Sequence, residues 1–120
     1  MTILCVDDDE TAITIRKMVL EMAGYIVLTA GNGQLAMQLF ASTAVDIVLS
    51  DALLRGMTGT ELAAEMKLLK PAIPIAIMSG MMEEPAGMED ADLVIGKGES
   101  PSVWLKRLSD LLRRSRSQAA

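Results

Sequence analysis

Histidine is absent from all 120 residues. That absence removes imidazole general acid–base catalysis, His-activated nucleophiles and most zinc sites in one step. Cysteine occurs once, as Cys5, so no internal disulfide can form, and within an apolar run this thiol reads as a small core hydrophobe. Aromatic residues make up only 2% of the chain, which leaves Ile, Leu, Val, Ala and ten Met to fill the interior. No apolar run approaches the ~18 residues a membrane helix needs. The opening Met-Thr-Ile-Leu-Cys-Val lacks the basic start and cleavage site of a signal peptide. With neither export signal nor disulfide, a cytoplasmic location without membrane association is expected. A net charge of -5 argues against direct nucleic-acid binding by this domain.

What remains is 51% hydrophobic and 22% charged, the composition of one folded domain with a substantial core. Short apolar runs and helical periodicities alternate five times. Strands are predicted at Ile3–Val6, Tyr25–Thr29, Val45–Ser50, Pro74–Met78 and Leu93–Ile95. A helix from about Glu10 to Ala23 carries Ala12, Ile15, Val19 and Met22 at helical spacing, and Gly24 stops it. Asn32 caps a second helix through about Ala41. A third carries Leu62, Met66 and Leu69 until Pro71, and Ser100 with Pro101 opens a last one through about Arg114. The alternation predicts an α/β fold, a doubly wound five-stranded parallel sheet with helices on both faces. Between the last two strands, Met81–Asp92 contains Pro85 and Gly87, so a fourth helix there is expected to be short or missing. Residues 1–115 are expected to form the domain, and 116–120 a flexible tail.

In such a sheet, ligands gather beyond the carboxyl ends of the strands. This chain sends Asp7, Asp8, Asp51, Ser79 and Lys97 to that edge. Two unit charges ~4 Å apart repel by about 4 kcal/mol at an effective dielectric of about 20. Clustered carboxylates therefore call for a cation or for protons. Carboxylate oxygens with room for water suit Mg²⁺, which recruits phosphate oxygens. Lys97 offers a point positive charge and Ser79 a hydroxyl, both apt for a phosphoryl group. An ionised Asp51 can serve as nucleophile and form an acyl phosphate.

These residues carry a resemblance. Ile3-Leu4-Cys5-Val6-Asp7-Asp8-Asp9, Gly24-Tyr25-Ile26-Val27, Ala30-Gly31-Asn32-Gly33-Gln34-Leu35-Ala36, Asp46-Ile47-Val48-Leu49-Ser50-Asp51 and Met57-Thr58-Gly59, with Ser79 and Lys97 at strand ends, together resemble the response-regulator receiver domains of two-component signalling. The resemblance implies a flavodoxin-like sheet of order 2-1-3-4-5. It implies Asp51 as phosphoacceptor, Asp7 and Asp8 as the acidic pair holding Mg²⁺, and the backbone carbonyl of Leu53 as a further metal ligand. Ser79 becomes the switch hydroxyl and Lys97 the phosphate-binding lysine. The implied donor is a phosphohistidine on a sensor histidine kinase or a histidine phosphotransfer protein. The implied recipient of the signal is a downstream effector or an output domain, and a phosphorylation-linked dimer is compatible with it.

The chain also departs from that family. Leu54-Arg55 stands where Met-Pro is usual, Gly98 follows the lysine in place of Pro, and the aromatic switch position is Val94. Two rival readings fit some of the same residues. Asp7-Asp8-Asp9-Glu10-Thr11 also resembles the opening motif of haloacid-dehalogenase-type phosphatases, with Asp7 as nucleophile and Asp9 as general acid. A pseudo-receiver, an interaction module that never takes phosphate, is the other.

Overall fold

The chain begins with a strand because Thr2–Val6 (β1) is apolar and β-branched at positions that become wholly buried from Ile3 onward. A computed structural model describes residues 1–80 and 90–119. After β1 come α1 (Glu10–Met22), β2 (Ile26–Ala30), α2 (Gly33–Ser42) and β3 (Ile47–Asp51). A two-residue ladder follows, β4 (Leu53–Leu54) with β5 (Met57–Thr58), and then α3 (Gly59–Leu69), β6 (Ile75–Ser79), β7 (Leu93–Gly96) and α4 (Pro101–Ala119). The five long strands pair in the order β2-β1-β3-β6-β7, every pairing parallel. Counting only these five, the order is 2-1-3-4-5. Residues 81–89, where the short or missing helix was expected, lie outside the described residues.

Two of the three interior strands, β3 and β6, are buried along their whole length, as strands covered on two faces must be. Alternate side chains enter different cores. Leu4, Val48, Ile75 and Ile77 meet Phe40 of α2 and Leu62 and Met66 of α3 on one face. Ile3, Ile47, Leu49 and Met78 meet Leu20 of α1 and Trp104 and Leu108 of α4 on the other. The helix starts are fixed locally. Asp9 accepts from the backbone N–H groups of Thr11 and Ala12, Asn32 from that of Leu35, and Thr58 forms a capping box with Glu61. At the end of α1, Gly24 takes φ +97°, while its neighbour Tyr25 donates back to the Leu20 carbonyl. A left-handed residue after a helix is ordinarily glycine for this reason.

Three local expectations are corrected. The buried stripe of α1 is rotated from the one its apolar residues suggested. Ile15 is 58% and Met22 87% exposed, while Leu20 is fully buried and Arg16 faces inward. Leu69 is half exposed, as the last residue of α3. The last helix continues past Arg114 to Ala119, since nothing between those residues breaks a helix.

Gly59 holds the first turn of α3 against the end of β3. Its N–H donates to the Ala52 carbonyl at 2.8 Å, and a Cβ there would lie 2.3 Å from the Asp51 carbonyl oxygen. Backbone must move to admit any side chain. Gly59→Ala is expected to cost about 1–3 kcal/mol, the range of forced overpacking, read from urea unfolding. An unchanged unfolding midpoint would contradict this close approach.

Candidate functional site

The carboxyl edge of the sheet is where the polar groups converge. Asp7 follows β1 directly and extends its ladder, its N–H donating to the Ala30 carbonyl at 3.1 Å. Its side chain is 2% exposed, so both oxygens need partners. Oδ1 accepts the Asp9 N–H at 2.9 Å, and Oδ2 accepts from the Arg16 guanidinium at 2.9 Å. Asp8 is half-buried; its Oδ2 accepts the Arg55 N–H at 3.0 Å, with the exposed Arg55 Nε at 3.8 Å. Asp51 is the last residue of β3, paired in register with Met78 of β6, and is 6% exposed. Lys97 Nζ lies 2.9 Å from its Oδ1. That contact is close yet poorly aligned, because Oδ1 is fully buried and accepts no well-formed hydrogen bond.

Ser79 closes β6, buried and in register with Gly96. Its carbonyl accepts the Lys97 N–H at 2.9 Å, tying the serine and lysine backbones together. Leu53 opens the small ladder two residues past Asp51, opposite Thr58, with its side chain half exposed. The structure thus gathers Asp7, Asp8, Asp51, Ser79 and Lys97 at one edge, with Leu53 on the adjoining loop.

One oxygen from each of Asp7, Asp8 and Asp51 lies within 4.8 Å of the others. Hard carboxylate donors, one of them a fully buried Asp51 oxygen that Lys97 approaches without a well-formed hydrogen bond, match the chemistry of Mg²⁺. The residues present fit that ion.

Sequence reasoning missed two features here. Arg16 sits nine residues after Asp7, three before Val19 and four before Leu20; a charge inside that apolar stripe was the available signal. The second is a clamp on the loop that carries Lys97. Glu99 accepts the Gly96 N–H at 2.6 Å and both of its oxygens bond the Arg107 guanidinium at 2.7 Å, while Arg107 also donates to the Val94 carbonyl at 2.9 Å. Nothing in spacing announces a pair joining a loop to the second turn of a helix. Burial pushes the Cys5 thiol up to about 11, partly offset by Arg16 beside it, so this cysteine is a neutral core group.

Fold and site together define an α/β phosphoryl-chemistry domain of the flavodoxin-like type. The chain belongs to the response regulator receiver domain family, whose model matches residues 3–98. It is 38% identical over 120 residues to the phosphate regulon transcriptional regulatory protein PhoB of Pseudomonas aeruginosa, covering 95% of this chain and 52% of that protein. It is 32% identical over 117 residues to the alkaline phosphatase synthesis transcriptional regulatory protein PhoP of Bacillus subtilis, covering 94% and 49%. The chain therefore spans about half the length of these relatives. Among solved structures, it is similar to the response regulator TrrA of Thermotoga maritima in complex with Mg²⁺-BeF, with a TM-score of 0.86 at 27% identity over 92% of this chain and 97% of that one. A CheY-like receiver domain protein of Methanospirillum hungatei matches with a TM-score of 0.90 at 25% identity over 98% and 97%. This is a receiver domain of two-component signalling, and the phosphatase reading falls with that membership.

The clamp generates a pH prediction. The Arg107 hydrogen bonds, and then the Gly96 N–H, hold the Glu99 carboxyl below its usual range. A folded-state pKa lowered in this way stabilises the protein above the unfolded value, about 4.3, and the contribution disappears as pH falls through the folded value. Glu99→Gln is expected to lower the melting temperature at pH 7, and the gap to wild type should close as pH drops below about 4. A gap of equal size at pH 7 and pH 3 would show that the clamp does not depend on the carboxylate charge.

Proposed function

We propose that Asp51 accepts a phosphoryl group from a phosphohistidine donor and that Mg²⁺ is held by Asp7, Asp8, Asp51 and the backbone carbonyl of Leu53. The observation that carries this reading is the buried Asp51 oxygen 2.9 Å from Lys97 Nζ, on an edge shared with Asp7 and Asp8. In the reaction, an Asp51 carboxylate oxygen attacks phosphorus, an O–P bond forms, and the P–N bond to the donor imidazole breaks. Lys97 and the Ser79 hydroxyl bind the phosphoryl oxygens. Mg²⁺, when bound, neutralises charge on the transferring group. Arg16 and the Asp9 N–H hold the Asp7 carboxyl in place, one on each oxygen.

The transfer leaves the phosphoryl group on the domain itself. The domain is a phosphoacceptor signalling module, with self-catalysed phosphotransfer and dephosphorylation as its only chemistry, and not an enzyme acting on a separate substrate. That TrrA was solved with Mg²⁺-BeF supports the metal assignment. The donor partner is a sensor histidine kinase or a histidine phosphotransfer protein. The names of PhoB and PhoP, together with the half-length match, support a downstream effector or output domain as the recipient, with a phosphorylation-linked dimer among its forms. We take residues 1–115 as the receiver unit, 116–120 as its tail, and the cytoplasm as its location. No described helix is long and apolar enough to cross a membrane.

Incubation with Mg²⁺ and acetyl phosphate, followed by peptide mass spectrometry, tests the assignment. The adduct is expected on Asp51, lost in EDTA and absent from Asp51→Asn. Labelling of Asp51→Asn at the wild-type level would overturn it, and no labelling of the wild type would favour the pseudo-receiver.

A further inference from the structure

The pocket contains two internal cations of unequal freedom. Lys97, on Asp51, has a side chain 45% exposed. Arg16, on Asp7, is only 10% exposed and its partner 2%. Arg16 reaches the pocket from the inward side of α1, next to buried Cys5. If its guanidinium released Asp7, a nearly buried charge would lose its counter-ion, which costs far more than breaking an exposed pair. Lys97 itself, nearly half exposed, keeps contact with solvent while it pairs with Asp51.

Resting on the metal assignment above, we infer that Arg16 is a built-in competitor of the divalent cation: it compensates Asp7 in the metal-free protein and sets the Mg²⁺ affinity low. Two effects act together. Arg16 already occupies Asp7 Oδ2, and the Asp9 N–H occupies Oδ1, so Asp7 offers an incoming ion less free lone-pair density. The fixed positive charge also repels a divalent ion brought to the same carboxylate. Arg16 thereby substitutes for the ion in stabilising the empty pocket. By linkage, whatever Arg16 takes from Mg²⁺ affinity, Mg²⁺ takes from the Arg16–Asp7 interaction.

The test is calorimetric titration of the full chain with MgCl₂ alone, for wild type, Arg16→Met and Arg16→Gln. Glutamine keeps a hydrogen-bond donor without the charge, so it decides the matter even if the methionine variant folds poorly. Both variants are expected to bind Mg²⁺ about tenfold more tightly than wild type. In EDTA both should melt below wild type, with a larger rise on adding Mg²⁺. Equal or weaker Mg²⁺ binding by the folded variants overturns the competition while leaving the metal site standing. If wild type and both variants all fail to bind Mg²⁺, the metal assignment itself falls, and this inference with it.

Discussion

Three carboxylates share one sheet edge, and everything around them serves to make that arrangement tolerable. Asp7, Asp8 and Asp51 have oxygens within 4.8 Å of one another, and two of these side chains are almost wholly buried. Without compensation, like charges packed this closely and largely out of water would repel one another strongly. The chain supplies compensation from three elements: Arg16 on α1, Lys97 after β7, and the Arg55 backbone N–H on the turn between β4 and β5. Each needs its element held at the correct height relative to the sheet. The strand register sets that height, since Asp51 pairs with Met78 and Ser79 with Gly96.

The lysine arm shows how the departures from the family pattern are accommodated. Where a proline would stiffen the loop, Gly98 leaves the backbone free. Stiffness comes instead from Glu99, which binds the Gly96 N–H behind it and Arg107 on α4 ahead of it. Arg107 in turn grips the Val94 carbonyl, at the position where the family's aromatic residue is usual. A charged clamp in part exposed to solvent replaces a ring constraint. It is consequently salt- and pH-sensitive in a way that a proline is not.

How much of this was legible in the sequence follows from the range of each interaction. Central strands were legible because burial on both faces forces unbroken apolar runs such as Ile47-Val48-Leu49 and Ile75-Ala76-Ile77. The positions of Asp7, Asp51 and Lys97 followed, since a parallel sheet delivers every strand end to the same edge. The face of α1 was misread because hydropathy counts an arginine as solvent-facing. Arg16 faces inward since a buried carboxylate awaits it, and that long-range fact outweighs the apolar character of Ile15 and Met22. The Glu99–Arg107 pair was invisible for a related reason: both residues are ordinary surface types, and only the loop's path brings them together.

The two internal cations also divide the pocket into a part that changes during the reaction and a part that does not. On the proposed assignment, phosphorylation adds negative charge at Asp51, and the cation beside it is the one with solvent access and a long flexible stem. Its long side chain gives Lys97 the reach to follow a phosphoryl group on Asp51, while its backbone N–H, bonded to the Ser79 carbonyl, stays anchored at the end of β6. On the opposite side, Arg16 is planar, nearly buried and bonded to a carboxylate that is itself pinned by the Asp9 N–H. Moving it would expose two buried charges to poor solvation together. On that assignment, adjustment to phosphate falls to the Lys97 side of the edge, while nearly buried Arg16 holds the α1 side. That division gives the two cations different parts: Lys97 is the solvent-accessible one beside Asp51, and Arg16 the nearly buried one bonded to Asp7.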